Sequence, residues 1–405
     1  MFPQVPIPEV VFFQEGPGLR QWQWTDEGMK VINVTNILAD GSVDVSNTDK
    51  YISLTEFEEH YSHFSVEESD IVVASSGNTY GKVGRIQAEH LPLMMNTSVV
   101  RFHSKDGNRL DNEYLYGFLR SPDFKNQIEQ FVIGGAQPNF GPSHIKKMWI
   151  YMPRIDVQRK IGDILSAYDN LIANNRRRIQ LLEQAARHIY KEWFVRLRFP
   201  GHEHTRIVDG VPVGWEKSTN GDVCTEFSDG DWIETKDQGG EDYRLLQISN
   251  IGENDFVETG NYRYITEETL RRLRCNEVVP GDILIARMPT PIGRAWLVTE
   301  MPWRMITAVD VTIARPNPEK VNPFYYLYHL NSENHLAHCV GRAIGATRPR
   351  IARKSMAELP ILVPTKRLQE TFGEFQYLRQ LRRAKLSSRV VNATQASHLT
   401  KNLRN

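Results

Sequence analysis

Residues 154–199 read RIDVQRKIGDILSAYDNLIANNRRRIQLLEQAARHIYKEWFVRLRF, and this stretch decides the architecture. Val157, Ile161, Ile164, Leu165, Tyr168, Leu171 and Ile172 recur at spacings of mostly three and four, which places them on one stripe of an α-helix. The stripe lapses over Asn174 to Arg178 and resumes, shifted, through Ile179, Leu182, Ala186, Ile189 and Trp193. Such a phase change reads as a stutter in a coiled coil. No proline or glycine intervenes between Gly162 and Pro200, so nothing forces a break. At about 1.5 Å per residue the spacing predicts a rod on the order of 65 Å, too long for a core helix of one compact domain.

Residues 364–405 carry a similar pattern through Leu368, Phe372, Phe375, Leu378, Leu381 and Leu386, then Val390, Ala393 and Leu399. Pro153, Gln158 and Gly162 open the first rod as Pro364, Gln369 and Gly373 open the second, each pair 211 residues apart. The segments ahead of the rods match as well. The run Met29 to Ile37 recurs as Tyr243 to Ile251, Tyr51-Ile52-Ser53 as Tyr264-Ile265-Thr266, and Asp70-Ile-Val-Val-Ala74 as Asp282-Ile-Leu-Ile-Ala286. The first and last of these read as strands, β-branched and short, and the middle one leads in each copy into a short charged helical stretch. Further strands are expected at Ser98 to Phe102 and Val309 to Ala314, and helices over Asn112 to Phe131 and Pro323 to Val340. Last come strands at Met148 to Tyr151 and Leu359 to Val363. The chain is a tandem repeat of an α+β globular segment followed by a long helix. The expected boundaries are 1–152, 153–199, 200–363 and 364–405, with Pro200, Gly201, Gly210, Pro212 and Gly214 forming the linker.

Composition narrows the function classes. The 405 residues balance 49 Lys and Arg against 49 Asp and Glu, so the chain as a whole is not a polybasic binder. Basic charge gathers on the rods: residues 154–198 hold ten Lys or Arg against five acids, and residues 364–405 nine against two. A solvated helical face explains such runs, as does proximity to a polyanion or an acidic partner. Cys224, Cys275 and Cys339 form no C-x-x-C pair and no disulfide framework. No run approaches eighteen apolar residues and no basic-then-apolar leader opens the sequence, so a soluble, cytoplasmic protein without membrane contact is expected.

Loops hold the candidate binding groups. The stretch Ser75-Ser-Gly-Asn-Thr-Tyr-Gly-Lys-Val-Gly-Arg85 is not a P-loop: Gly77 and Gly81 are too close, and Val83 stands where a Mg²⁺-binding hydroxyl belongs. It is either a plain strand connection or a glycine-rich turn approaching a ligand. In the second case Lys82 and Arg85 serve phosphate, and Asn78, Thr79 and Tyr80 serve bases or water. Its looser counterpart is Arg287 to Arg294, with the pairs Gly84-Arg85 and Gly293-Arg294 expected to align. Two later turns combine Gln137, Asn139, His144, Lys146 and Lys147 in the first unit with Thr347, Arg348, Arg350, Arg353 and Lys354 in the second. Amides can read adenine, and guanidinium groups can read guanine or grip phosphate; capping of the next element is the bland reading for any single residue.

Other motifs weaken on inspection. Asn322-Pro-Phe-Tyr325 resembles the Asn-Pro-Pro-Tyr tetrapeptide of adenine-N6 methyltransferases, but no glycine-rich S-adenosylmethionine loop lies upstream, and Pro323 suits the first turn of a helix. His335, His338 and Cys339 share a helical face without a fourth ligand at recognisable spacing. No catalytic signature emerges, which favours a binding protein over an enzyme.

The doubled order of globular unit and helix, the Asp-Ile-x-x-Ala strands, the loop ending Gly-Lys-Val-Gly and the turn Gly345-Ala-Thr-Arg-Pro-Arg-Ile351 together resemble the DNA specificity subunits of type I restriction-modification systems. So do the Pro-x-x-x-x-Gln-x-x-Ile/Phe-Gly helix openings and the entry Val213-Gly-Trp-Glu216. The resemblance covers essentially the whole chain. It implies two target recognition domains, each reading one half of a split double-stranded DNA site, with the two helices packed antiparallel as a coiled-coil ruler. The expected pairing and partner-docking residues are Ile161, Ile164, Leu165, Tyr168, Leu171, Ile172, Phe372, Phe375, Leu378 and Leu381. It further implies a non-catalytic subunit binding no cofactor itself. Two methyltransferase subunits using S-adenosylmethionine dock on it, and two motor-nuclease subunits using ATP and Mg²⁺ complete the restriction enzyme. In the first unit the turn reads Gly135-Ala-Gln-Pro-Asn-Phe140, so the role of that arginine is not shared there. A free-standing DNA-modifying enzyme and a coiled-coil adaptor without DNA contact are the alternatives.

Overall fold

The structure is a computed structural model, and it describes residues 2–46, 48–77, 80–132 and 139–401. The chain divides into two compact units, one formed by residues 1–177 with 387–405 and the other by residues 178–386.

The first unit holds β1 (Gln4–Pro6), β2 (Val11–Glu15), β3 (Met29–Ile32), β4 (Tyr51–Ile52), β5 (Ile71–Ala74), β6 (Val83–Arg85), β7 (Met94–Met95), β8 (Val99–Ser104) and β9 (Trp149–Tyr151). Helices α1 (Asn112–Leu119) and α2 (Pro122–Val132) follow β8, and the first long helix, α3 (Ile155–Tyr190), follows β9. The four-stranded sheet has the order β2-β8-β5-β6, the three-stranded sheet β4-β3-β7, and β1 pairs with β9. Strand β5 explains its own composition. Ile71 and Val73 join the apolar cluster shared with α1 and α2, while Val72 and Ala74 join the cluster on the other face of the sheet. A strand covered on both faces reads as a continuous apolar run.

The second unit repeats this plan. It contains a short hairpin of β10 (Ile207–Val208) and β11 (Val211–Pro212), then β12 (Glu216–Thr219), β13 (Cys224–Asp229), β14 (Tyr243–Leu246), β15 (Tyr264–Ile265), β16 (Ile283–Ala286), β17 (Ala295–Leu297), β18 (Arg304–Thr307) and β19 (Val311–Pro316). Helices α4 (Pro323–Leu330) and α5 (Glu333–Gly341) precede β20 (Pro360–Val363) and the second long helix, α6 (Lys366–Lys401). Sheet orders are β13-β19-β16-β17, β15-β14-β18 and β12-β20, the same connectivity strand for strand. Ile283 and Ile285 of β16 face one cluster, and Leu284 and Ala286 the other. The aspartate that opens the central strand is a turn anchor in both units. Asp70 accepts from the Glu67 amide and Asp282 from the Val279 amide, each carboxylate facing a basic group across the sheet, His103 at 3.0 Å and Arg315 at 2.7 Å.

The doubled Pro-Gln-Gly opening of the long helices now has a cause. Gln158 accepts from the Asp111 amide and donates to the Arg109 and Pro153 carbonyls; Gln369 accepts from the Asn322 amide and donates to the Lys320 and Pro364 carbonyls. Each glutamine fastens a long helix to the capping residue of its domain's helix, both being nearly fully buried. One turn on, the helices approach too closely for a side chain. A Cβ on Gly162 would lie 2.7 Å from Glu113 Cβ, and one on Gly373 2.6 Å from Asn322 Nδ2.

The backbone register corrects the expected loop alignment. Gly81 donates to the Ala74 carbonyl and Gly293 to the Ala286 carbonyl, both at 2.8 Å, and both glycines have positive φ, 78° and 94°. Gly81-Lys82 is therefore the partner of Gly293-Arg294, and Arg85, opposite Ile71, corresponds to Leu297, opposite Ile283. The Gly-Arg dipeptides match in letters and not in place.

In the second unit the long helices touch along an antiparallel seam. Glu183 pairs with Arg383 at 3.2 Å, while further along Phe194 stacks edge-on against Phe372 at 5.2 Å and Trp193 against Phe375 at 6.0 Å. The expected pairing and partner-docking residues divide between covered and open positions. Leu165 is buried, against Gly117 of its own domain, and Phe372 is buried, whereas Ile161, Tyr168 and Ile172 are half-buried. Ile164, Leu171, Phe375, Leu378 and Leu381 are exposed. The glutamine fastenings turn each helix so that its domain-facing side is the buried one.

Candidate nucleic-acid interface

Polar groups converge at one end of the four-stranded sheet of the second unit. Arg287 follows β16, Asp229 ends β13, Asp310 precedes β19, and Arg350 and Arg353 come from the turn after α5. Arg287 Nη1 lies 3.3 Å from Asp229, Arg353 Nε 3.4 Å from the same carboxylate, and Arg350 Nη2 3.0 Å from Asp310. Arg353 also donates to the Phe227 carbonyl at 2.9 Å. Three guanidinium groups thus share two carboxylates. Burial lowers the pKa of Arg287 from its ordinary value, as do the Arg350 and Arg353 charges, against the raising influence of Asp229 and Asp310. Arg350 and Arg353 are exposed, as are Thr347, Arg348 and Lys354 on the same turn and short helix. An exposed, like-charged arginine pair held by shared carboxylates can exchange those partners for phosphate oxygens.

The first unit builds the same place from different chemistry. Phe140 donates to the Ser75 carbonyl as Ile351 does to that of Arg287, and Ser75 to the Ser98 carbonyl as Arg287 does to that of Asp310. Ser75, Ser98 and Asn139 therefore stand where Arg287, Asp310 and Arg350 do, and Glu15, opposite Val100, stands where Asp229 does, opposite Thr312. Burial raises the Glu15 carboxyl pKa, and a Cβ on Gly141 would sit 3.5 Å from its Oε2. Asn139, Lys146 and Lys147 are exposed, Lys147 with its ammonium 5.9 Å from the Phe131 ring centre.

The remaining expected residues are distributed as follows. Asn78, Thr79 and Gln137 lie outside the described residues. Tyr80 packs against the core and, with Lys82, lines an open cleft of ≈ 1010 Å³ between the domain and residues 163–176 of α3. Arg85 is paired with Glu113, its guanidinium carbon 4.2 Å from the Tyr116 ring centre, and Glu113 in turn accepts from Ser166 of α3. With Arg120–Asp169 at 2.5 Å, it belongs to the joint between domain and helix rather than to an outward surface. Arg294 is a second correction. It is buried and its guanidinium donates to the carbonyls of Ile248, Ile251, Pro289 and Pro291, so it holds loops together. Arg294→Ala is expected to destabilise the second unit by roughly 2–4 kcal/mol, since hydrogen bonds to a charged group and orphaned buried carbonyls are both involved. Chemical denaturation measures this, and a loss below about 0.5 kcal/mol would contradict the structural assignment.

Asp229, Asp310, Glu15, Ser75 and Ser98 are the members that sequence reasoning missed. A usable signal existed: the acidic-glycine pair is doubled as Glu15-Gly16 and Asp229-Gly230. A Cβ on either glycine would lie 2.3 Å from a carbonyl oxygen, of Asn96 or Ala308, so the backbones approach too closely there for any other residue.

Asn322 is a helix cap, as its proline neighbour suggested. Its side-chain oxygen accepts from Phe324 and Tyr325, and the Tyr325 hydroxyl donates to the Leu362 carbonyl, so the two polar side chains of the tetrapeptide are engaged within the fold. No group of three metal-ligating side chains occurs among the described residues, and no helix there is long and apolar enough to cross a membrane.

Two copies of one α+β fold, each rooted on its own long helix and each gathering polar groups at the same sheet end, define a tandem-domain α+β protein. The sequence matches the family model of the type I restriction modification DNA specificity domain over residues 7–184 and 212–384, and the chain belongs to that family. It is 26% identical over 188 residues to the type I restriction enzyme MjaIX specificity subunit of Methanocaldococcus jannaschii, a match covering 44% of this chain and 43% of that protein. A putative MjaX specificity subunit of the same organism is 24% identical over 267 residues, 64% of this chain and 58% of that protein. The chain thus spans about half the length of the curated relatives it matches. The crystal structure of a type I restriction-modification S subunit from M. genitalium shares the fold, with a TM-score of 0.59 at 16% identity over 99% of this chain and 95% of that one.

Proposed function

We propose that the chain reads a bipartite double-stranded DNA sequence, one half per unit, as the non-catalytic specificity subunit of a type I restriction-modification complex. The observation that carries this reading is the polar cluster repeated at one place on two copies of one fold, in a chain of the specificity-domain family. Two methyltransferase subunits supply adenine methylation with S-adenosylmethionine, and two motor-nuclease subunits supply ATP- and Mg²⁺-dependent cleavage. This chain contributes no cofactor site. The exposed Ile164, Leu171, Leu378 and Leu381 are the surfaces those subunits would cover.

Salt dependence tests the DNA contact. In the complex with the methyltransferase subunits, log K should fall linearly with log salt, and Arg350→Ala or Arg353→Ala should each flatten the slope by about 1, as for one lost phosphate contact. A salt-independent affinity would instead mark a coiled-coil adaptor. DNA methylation by the purified chain alone would mark a free-standing enzyme. Removing about two turns from α3 is expected to change the spacer between methylated half-sites in methylome sequencing while leaving both half-site sequences intact. An unchanged spacer would remove the ruler.

A further inference from the structure

The three most exposed large apolar side chains among the described residues are Ile344 at 79%, Trp22 at 78% and Trp232 at 72%. Ile344 borders the arginine cluster of the second unit, and Trp232 is close to it in sequence. Ile344 and Arg350 exchange backbone hydrogen bonds of 2.9 and 3.0 Å across the turn that Gly345, at φ 115°, makes possible. Residues opposed in this way project side chains to one face, with Cβ atoms about 5 Å apart. Trp232 follows Asp229 by three residues, within about 10 Å along the chain. It is also held in place by its neighbour: Asp231 donates through its amide to the Thr307 carbonyl and accepts from the Asn276 amide.

Bare surface aromatics and β-branched residues gain nothing from water, and here they stand beside exposed arginines. That pairing of apolar points with phosphate-binding cations suits a duplex whose base steps are pried apart, as apolar wedges do when they unstack and kink DNA. Trp22 lies between β2 and β3 of the first unit, the connection equivalent to the one that carries Trp232.

We propose that Trp232 and Ile344 form a wedge that unstacks a base step of the half-site bound by the second unit, the neighbouring arginines holding the flanking phosphates. This rests on the DNA-reading role proposed above. The wedge makes recognition depend on how easily that step deforms, so flexible pyrimidine–purine steps are favoured where the wedge enters.

The test uses the complex of the full chain with its methyltransferase subunits, without S-adenosylmethionine. The probe is a duplex carrying the site found by methylome sequencing, with 2-aminopurine placed singly at successive positions other than the methylated adenine. Binding should brighten one step in the second unit's half-site several-fold. The double substitution Trp232→Ala with Ile344→Ala should abolish that signal and weaken affinity roughly tenfold at an unchanged salt slope. Trp232→Phe alone should retain it. Equal thermal midpoints show that these surface variants fold. A signal that survives the double substitution, or no bright step with the unsubstituted protein, overturns the wedge while leaving salt-dependent, site-specific binding intact. Loss of that binding in the unsubstituted complex overturns the DNA-reading role itself.

Discussion

Phe372→Ala is expected to cost the second unit about 3–5 kcal/mol, the range for emptying a phenylalanine site in a packed core. Phe372 is fully buried where three helices meet: its ring lies 6.1 Å from Tyr190 of α3, 5.2 Å from Phe194 in the π-helical turn Lys191–Val195 that continues α3, and 5.4 Å from Tyr328 of α4. At 2–4 °C per kcal/mol for a unit of this size, the thermal midpoint should fall on the order of 10 °C. Phe375, one turn on and half exposed, also touches Trp193 but is not enclosed. Phe375→Ala should cost about 1 kcal/mol or less. Equal losses from the two variants would mean that the helix seam, rather than the three-way junction, sets stability.

Acidification is expected to destabilise the same unit through its buried imidazoles. Burial pushes the His335 pKa down from 6.5 to about 4, and burial likewise pulls His329 well below the usual histidine range, with His335 and His338 nearby adding to it. His335 Nδ1 donates to the Leu330 carbonyl, which leaves Nε2 to accept from Asn220 Nδ2 at 2.9 Å; Cys339 Sγ is 3.7 Å from Nδ1. A proton on Nε2 would meet a donor. Above pH 6.5 His335 is neutral whether folded or unfolded and contributes no pH dependence. As pH falls below 6.5 the unfolded chain takes up a proton that the folded one refuses, so stability drops until about pH 4. At 1.36 kcal/mol per unit, the span from 6.5 to about 4 is worth roughly 3 kcal/mol for His335. Urea unfolding at pH 7 and pH 4.5, compared between the unsubstituted chain and His335→Gln, isolates this contribution from the carboxylates. A difference between the two proteins that does not change with pH would refute it.

Local pattern made the strands and helices legible. The buried runs Asp70 to Ala74 and Asp282 to Ala286, the helix start at Asn322 and the doubled Pro-Gln-Gly openings all appear where periodicity and repetition placed them. What periodicity could not supply was the rotation of a helix about its axis. Ile164, Leu171, Leu378 and Leu381 belong to a good apolar stripe, yet Gln158 and Gln369, single polar residues, decide which side is covered. Loop alignment failed for a related reason. Arg85 and Arg294 follow glycines in the letters, but hydrogen bonds from Gly81 and Gly293 set the true register. The candidate cluster was half legible. Its arginines stand out by type, whereas Asp229 and Asp310 reach it only through tertiary folding, and Arg294 is chemically indistinguishable from them until its four carbonyl partners are seen.

The two glutamine fastenings are chemically equivalent. Gln158 and Gln369 make the same three bonds at the same distance from their proline and glycine, so a domain moved onto the other long helix would meet the same fastening, whereas the contacts of Ser166 with Glu113 and of Asp169 with Arg120 belong to the first joint. A chimaera spliced between residues 153 and 162, or between 364 and 373, should keep these three bonds. The two domain-to-helix joints are thus alike at the glutamine and differ in the polar contacts roughly two to three turns beyond it.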